Sequence, residues 1–313
     1  MNADSSQRPV LVLSGTTASG KNRVGVRVAQ ELGGEILSLD SMKVYRGMDM
    51  GTDKPSVELR AQVPHHLVDI LDPLEGMNLS RFVTMAEEAD RSIREAGALP
   101  VAVGGTALYL TGFLRGVLNG PEADHDFRRG LRAEASVLGV ASLHERLQKF
   151  DPAAAARIHP NDYKRLERAF EVFALTGRPI SDLQGQWSQP PKRDYRLFLL
   201  TWDREVLDRR IETRVDAMFR DGFLDEVRWI IDNGGFGRES SQALGYREAV
   251  AHINDEVTEA EAIVLIKRAT RRFSRRQMTW FRRMEDAHWI HAQEGDSTVD
   301  LSDRIVGLYQ ESI

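Results

Sequence analysis

The chain contains no cysteine among its 313 residues. Disulfide bridges, cysteine-ligated zinc and thiol catalysis are therefore excluded. No apolar run reaches the roughly 18 residues that a membrane-spanning helix needs, and residues 1–8 lack the basic-then-apolar pattern of a signal peptide. These absences predict a cytoplasmic protein that does not enter a membrane.

Acidic residues are missing from one long stretch, residues 262–284, although the formal net charge of the chain is −5. A local basic surface on an acidic protein indicates nucleic-acid binding better than the total charge does. The basic residues of the stretch are Lys267, Arg268, Arg271, Arg272, Arg275, Arg276, Arg282 and Arg283.

Short apolar runs alternate with helical patterns in the first third of the chain. The runs at 10–13, 36–39 and 101–103 predict buried strands. Apolar residues at helical spacing follow the first run up to Leu32, and a second helix is predicted at 80–96. Such alternation is typical of an α/β fold with a parallel sheet covered by helices.

The pattern changes near residue 119, after which helices are predicted at 128–150 and 162–175 without a convincing strand. A buried strand returns at 197–200. We therefore expect an all-helical insertion domain, residues 119–193, inside a P-loop core domain formed by residues 1–118 and 194–313. Further helices are predicted at 204–221, 224–233 and 258–284, and the last of these begins with the capping-box spacing of Thr258 and Glu261.

A glycine-rich turn follows the first predicted strand and opens the first predicted helix. Its sequence fits the first seven positions of the phosphate-loop pattern G-x-x-x-x-G-K-[ST]. Inward N–H groups and the helix N-terminus would bind phosphate there, whereas the alternative is a chance glycine-rich turn. The predicted phosphate-binding residues are Gly15, Thr16, Thr17, Ala18, Ser19, Gly20, Lys21 and Asn22.

The eighth position of this loop is Asn22, where the usual residue is a serine or threonine whose hydroxyl binds Mg²⁺. An amide oxygen can reach a metal or one of its waters, so Asn22 is a candidate metal ligand with weakened affinity. No acidic residue directly follows the strand predicted at 101–103. Both features argue against a standard ATP hydrolase.

Six separated motifs, in order, resemble the tRNA dimethylallyltransferase family. They lie at residues 15–21, 38–52, 64–70, 103–106, 159–162 and 242–246, and the match in order and spacing runs from about residue 10 to 289. The resemblance implies transfer of a dimethylallyl group from dimethylallyl diphosphate to the exocyclic N6 amine of the adenosine 3′-adjacent to the anticodon of a tRNA.

The resemblance also implies catalytic roles for particular side chains. Asp40 would be the general base, and Thr106 would lie near the diphosphate or the reacting carbon. Arg214 with Lys21 would hold the leaving diphosphate together with Mg²⁺. The alternative roles are a turn cap for Asp40, a helix N-cap for Thr106 and a solvated helix residue for Arg214.

The implied partner is the anticodon stem-loop of tRNA. Arginines spaced by four residues would form a basic stripe on the last long helix, opposite a core face that includes Ile266, Phe273, Gln277 and Trp280. Carboxylates on neighbouring helices are the alternative partners of that stripe. The predicted tRNA-binding residues are Asp40, Ser41, Met42, Lys43, Lys164, Arg165, Leu166, Arg168, Gln242, Gly245, Tyr246, Lys267, Arg268, Arg271, Arg272 and Arg275.

Two rival functions stay open at this point. A small-molecule kinase would share the phosphate loop and the sheet, but it would leave the arginine-rich helix without a purpose. A non-catalytic RNA-binding protein would explain Asn22, but four residues argue against it: Lys21, Asp40, Thr106 and Arg214. The adjacent His65 and His66 are expected to be structural rather than metal-binding, and we expect a monomer.

Overall fold

The computed structural model describes residues 8–118, 120–185 and 189–313. The predictions for residues 1–7 and for a boundary at Asn119 fall outside this range. The chain divides into two compact units. The core unit comprises the chain through Leu114 together with Arg193–Ile313, and the helical unit is Arg115–Lys192.

Strands and helices alternate along the first part of the chain and again after the helical unit. The first part of the core unit contains β1 (Val10–Gly15), α1 (Lys21–Leu32), β2 (Gly34–Ser38), α2 (Val57–Arg60), β3 (His65–His66), α3 (Leu79–Glu95), β4 (Leu99–Gly104) and α4 (Ala107–Arg115). The helical unit contains α5 (His125–Leu138), α6 (Val140–Phe150), α7 (Pro152–Ala155), α8 (Tyr163–Thr176) and α9 (Ile180–Leu183). The core unit resumes with β5 (Tyr195–Trp202), α10 (Arg204–Arg220), α11 (Phe223–Asp232), a 3₁₀ turn (Ser240–Gln242), α12 (Tyr246–Ile253), α13 (Glu259–Phe281), β6 (Ala287–Ala292) and α14 (Thr298–Glu311).

The six strands form one parallel sheet in the order β3-β2-β4-β1-β5-β6. All six residues of β1 are buried, as the apolar run predicted for a strand covered on both faces. Because every strand points the same way, the carboxyl ends of β1, β2 and β4 meet at one edge. Ligands bind at this edge in open parallel sheets. The predicted α/β class is confirmed.

The helical unit has its own apolar core, which includes Leu131, Leu143, Leu147 and Leu166. All the elements assigned in its described part are helices. The helix predicted at 128–150 is wrong in one respect, because Gly139 has a φ of 80° and separates α5 from α6. Apolar residues continue at helical spacing on both sides of Gly139, so the sequence pattern predicted one continuous helix.

A buried carboxylate ties the helices of this unit together. Glu171 is fully buried and accepts hydrogen bonds from Arg128 Nε at 2.7 Å, from Arg168 Nη1 at 2.6 Å and from the Asp124 backbone N–H at 2.8 Å. Removing one partner of a buried ion pair costs about 3–5 kcal/mol. Arg168 therefore has a structural role.

Nine of the elements assigned in the described chain were not predicted from the sequence: α2, β3, α4, α7, α9, the 3₁₀ turn, α12, β6 and α14. β6 is an edge strand whose His288 and Trp289 are exposed, so it lacks an apolar run. The capping box of Thr258 and Glu261 at the start of α13 is confirmed. Across the described residues, none of the helices combines the length and the apolar character needed to cross a bilayer.

Candidate active site

The phosphate loop connects β1 to the N-terminus of α1 at the carboxyl edge of the sheet. Gly20 has a φ of 90° immediately before the helix, a backbone conformation that residues other than glycine rarely adopt. At Gly15 a Cβ atom would lie 2.5 Å from the carbonyl oxygen of Leu200 in β5. Both glycines are therefore required by the path of the backbone, as the motif predicts.

Two hydroxyl groups in the loop are buried and unsatisfied. Thr16 and Ser19 are each 1% exposed, and within the described chain neither hydroxyl oxygen has a hydrogen-bond partner. Buried polar atoms are rarely left without a partner. These hydroxyl groups suit a ligand that accepts hydrogen bonds, and phosphate oxygens are such acceptors.

Lys21 supplies a buried ammonium group beside them. Its Nζ donates to the backbone oxygen of Thr16 at 3.1 Å. Burial, with a contribution from the nearby Lys43 ammonium, lowers the pKa of Lys21 to about 8. Both effects penalise the charged form, so an incoming anion would restore the proton to this side chain.

We expect diphosphate binding to be coupled to protonation of Lys21. The unliganded pKa of about 8 means that Lys21 loses its charge as the pH rises through 8. Affinity for pyrophosphate should therefore fall between about pH 7 and pH 9, with proton uptake on binding near pH 8. Calorimetric titration in two buffers of different protonation enthalpy measures this uptake. In Lys21→Met the uptake should disappear, and its persistence there would assign the proton to another group.

Arg214 on α10 reaches the same loop. Its Nη1 donates to Thr17 Oγ1 at 2.8 Å and its Nη2 donates to the Gly51 oxygen at 3.3 Å. Its side chain is thus oriented at the phosphate loop and is not simply solvated. Four residues earlier, Arg210 Nε donates to the Ala18 oxygen at 2.8 Å and stacks on Trp202. Arg210 was not predicted from the sequence, although its helical spacing from Arg214 would have revealed it.

Asp40 follows β2 at the same edge, as predicted. Its Oδ1 accepts a hydrogen bond from the Met42 backbone N–H at 3.0 Å, which is the turn-capping interaction. The described residues supply no donor to Oδ2, and the side chain is half-buried. Asp40 can therefore cap the turn with one oxygen and accept a proton on the other.

Thr106 connects the Asp40 loop to the end of β4. Its Oγ1 accepts from the Ser41 backbone N–H at 3.3 Å and lies 3.4 Å from Ser41 Oγ. At Gly104, two residues before Thr106, a Cβ atom would lie 2.1 Å from the Leu39 oxygen, so the two loops are in close backbone contact. The structure thus brings Thr106 beside the loop that carries Asp40.

Gln277 joins the phosphate loop to the β4 loop, whereas the sequence pattern had placed it only on a core face. Its Oε1 accepts from the Thr17 backbone N–H at 2.9 Å, and its Nε2 donates to the Gly105 oxygen at 2.8 Å. The side chain is 6% exposed. The Gln277 side chain thus fixes the positions of two backbone groups of the site, the Thr17 N–H and the Gly105 oxygen.

Asn22 does not face outward as a metal ligand. Its Oδ1 accepts from Lys43 Nζ at 2.8 Å, and its Nδ2 donates to the Asp53 backbone oxygen at 2.9 Å. Lys43, which was predicted to contact tRNA, is 4% exposed and its side chain points to the phosphate loop. Asp53, which was not predicted from the sequence, completes this group.

The charges in this group are strongly coupled. Burial lowers the pKa of the Lys43 ammonium. Burial would raise the pKa of Asp53, but Arg214, Lys43 and Lys21 together bring it below its usual value. Asp53 is therefore a carboxylate that partly neutralises three cations.

Helix α13 has a partly paired basic face. Arg268, Arg272 and Arg275 are exposed, and none of them has an ion-pair partner among the residues that the structure describes. Lys267 instead pairs with Asp216 at 2.6 Å, and Arg271 pairs with Glu212. Both carboxylates lie on α10.

The buried face of α13 differs in part from the predicted one. Phe273 and Trp280, which were predicted at core positions, are only half-buried. The buried residues are Ala262, Ile266, Thr270, Ser274, Gln277 and Phe281.

Three other residues predicted to bind tRNA have buried, structural positions. Leu166 is fully buried in the helical unit. Tyr246 is 1% exposed and its hydroxyl donates to Glu226 at 2.6 Å. Gly245 is buried before α12. In contrast, Lys164, Arg165 and Gln242 are exposed.

Comparisons with known proteins show what the whole chain is similar to. A model of the IPP transferase family matches residues 43–284. The tRNA dimethylallyltransferase of Pelotomaculum thermopropionicum is 42% identical over 292 residues, 93% of each chain. The crystal structure of the full-length tRNA isopentenylpyrophosphate transferase from Bacillus halodurans has a TM-score of 0.69 at 38% identity and covers 97% of this chain and 98% of that one. A eukaryotic dimethylallyltransferase acting on tRNA has a TM-score of 0.84 at 26% identity, with 98% and 79% covered.

Proposed function

Since the chain belongs to the IPP transferase family, we propose that it transfers the dimethylallyl group of dimethylallyl diphosphate to a tRNA. The acceptor is the N6 amine of the adenosine 3′-adjacent to the anticodon, and diphosphate is released. The observation that carries this proposal is the position of Asp40 beside a phosphate loop whose buried hydroxyl groups lack partners within the described chain.

Departure of the diphosphate is the first requirement. The allylic C–O bond breaks and its electron pair stays on the diphosphate oxygen, so negative charge grows there. Lys21, Arg214 and the loop N–H groups are positioned to stabilise that charge. The Thr16 and Ser19 hydroxyl groups would donate to phosphate oxygens.

Attack by the adenosine amine is the second requirement. The N6 lone pair forms the new C–N bond, and the nitrogen becomes acidic only as that bond forms. Asp40 then takes one N–H proton on the oxygen that does not cap the turn. The target base must leave the loop stack to reach Asp40, at a cost that is low in a partly unpaired anticodon loop.

A divalent cation suits a diphosphate substrate, and a phosphate loop implies Mg²⁺. The residues present do not fit a metal held at position 22, because the Asn22 oxygen already accepts from an ammonium group. Among the described residues, no cluster of three or more histidine or acidic side chains has the arrangement of a metal site.

The RNA would be bound by exposed basic side chains of each unit. On α13 these are Arg268, Arg272, Arg275 and Arg276, and on α8 they are Lys164 and Arg165. These α13 arginines lack carboxylate partners within the described chain and so bind phosphate at the least electrostatic cost, whereas Arg165 pairs with Asp162 at 3.2 Å. We propose that the helical unit contacts the anticodon stem through the α8 residues.

Reversing two charges on α13 should weaken tRNA binding. We expect Arg272→Glu with Arg276→Glu to lower affinity and to make the slope of log affinity against log salt shallower by about 1.5, since each lost phosphate contact contributes roughly 0.7–0.9. Filter binding over a salt series measures the slope. Arg91→Glu with Arg220→Glu makes the same charge change at exposed sites on α3 and α10. Equal slopes for the two variants would exclude α13 from the RNA surface.

The direct test is transfer itself. Protein, Mg²⁺, dimethylallyl diphosphate and an unmodified anticodon stem-loop are incubated, the RNA is digested, and prenylated adenosine is measured by mass spectrometry, with ATP as the control donor. Product from the prenyl donor is expected. RNA binding without product would favour a non-catalytic RNA-binding protein, and ATP consumption without RNA binding would favour a kinase.

A further inference from the structure

We propose that Lys43 is a built-in cation that replaces the protein-held metal of a phosphate loop. Its ammonium group, positioned by Asn22, would bind the diphosphate directly, so that diphosphate binding does not require Mg²⁺. This inference rests on the proposed function for its substrate. It assigns to the site a binding residue that the sequence motif does not include.

The Lys43–Asn22 pair stands where the motif places a hydroxyl group and its metal. Lys43 Nζ lies 2.8 Å from Asn22 Oδ1, and Asn22 is the eighth residue of the loop. An amide oxygen that accepts from an ammonium group cannot also bind Mg²⁺, because the two cations would repel each other at contact distance. The ammonium group therefore occupies the cation position next to residue 22.

The pair is held rigidly. Asn22 Nδ2 donates to the backbone oxygen of Asp53 at 2.9 Å and lies 3.3 Å from Asp53 Oδ2. Lys43 is 4% exposed, and its backbone oxygen accepts from the Asp69 N–H at 3.1 Å. A buried lysine loses little conformational entropy when a ligand binds. The arrangement is that of a pre-organised binding group.

The charge balance of the site favours an anion. Lys21, Lys43 and Arg214 act on one another and on the carboxylates of Asp40 and Asp53. An anion bound beside these side chains would favour the protonated form of both lysines, whose pKa values burial lowers. An ammonium group has three N–H donors, and Asn22 uses one of them, so two are left for diphosphate oxygens.

Calorimetric titration with inorganic pyrophosphate, in EDTA and in excess Mg²⁺, tests the proposal. Wild type should bind in EDTA within about threefold of its affinity in Mg²⁺. Lys43→Met, which keeps most of the length of the side chain without its charge, should bind at least about tenfold more weakly in EDTA, as expected for loss of a charge-assisted hydrogen bond. Lys43→Arg should recover part of this loss.

The double variant Asn22→Thr with Lys43→Gln restores a hydroxyl group at position 22 and removes the cation. Its pyrophosphate affinity should increase at least about tenfold on adding Mg²⁺, a factor of ten being 1.4 kcal/mol. Circular dichroism melting checks that each variant is folded.

Two results would overturn the proposal: wild-type binding that is lost in EDTA, or Lys43→Met binding that equals wild type in EDTA. Pyrophosphate binding is measured without RNA. A failure of prenyl transfer would therefore refute the proposed function and leave this result standing.

Discussion

Asp40→Asn will slow prenyl transfer by about 10²–10⁴-fold, the range contributed by a general base, while tRNA affinity stays within a few-fold of wild type. Asparagine keeps an oxygen that can accept from the Met42 N–H, so the turn should persist while the proton acceptor is lost. Single-turnover transfer with saturating RNA measures the chemical step, and filter binding measures affinity.

A matched control separates catalysis from turn capping. Asp72 caps its turn in the same way, with Oδ1 accepting from the Leu74 N–H at 2.9 Å. Asp72→Asn should therefore transfer at the wild-type rate. If Asp40→Asn loses RNA binding and transfer together, Asp40 has a structural role and the proposed base must be found elsewhere.

Arg214→Gln will reduce kcat/KM for dimethylallyl diphosphate by about 10²–10³-fold, as is typical when one group that stabilises transition-state charge is removed. Arg214 donates to Thr17 in the phosphate loop, so its loss should affect the diphosphate step and leave RNA affinity unchanged. Steady-state kinetics with both substrates varied gives the measurement.

Arg209 provides the control on the same helix. It lies at the surface and pairs with Glu294 at 2.8 Å. Arg209→Gln removes the same charge from α10 without touching the loop and should change kcat/KM less than about twofold, as exposed ion pairs contribute little. An equal decrease of kcat/KM in the two variants would mean that catalysis depends on the net charge of α10 and not on the contact of Arg214 with Thr17.

The sequence predicted those elements and loops that are determined by residues close together in the chain. Four strands were predicted because each contains an apolar run: β1, β2, β4 and β5. The phosphate loop was predicted because its glycines and lysine lie within a few residues of one another. The cytoplasmic location and the monomeric state stay predictions. The family resemblance is confirmed by the match over residues 43–284.

The features that were missed depend on packing between distant segments. Gln277 lies 260 residues from Thr17, yet it holds the loop. Lys267 and Arg271 are neutralised by carboxylates because α10 packs on α13, which no spacing rule reveals. Leu166 was assigned to the RNA surface by its neighbours in sequence, but its apolar side chain is buried in the helical unit.

The order of the strands also has a consequence for biosynthesis. β1 pairs with β5, which begins at Tyr195, and the hydroxyl of Tyr309 donates to the Pro9 oxygen at 2.6 Å. At a translation rate of about 5–20 residues per second, β1 emerges roughly 10–40 s before its partner strand. In the nascent chain the β5 side of β1 is therefore still unpaired after the phosphate loop has been made. An open strand edge is prone to aggregation, which chaperones prevent.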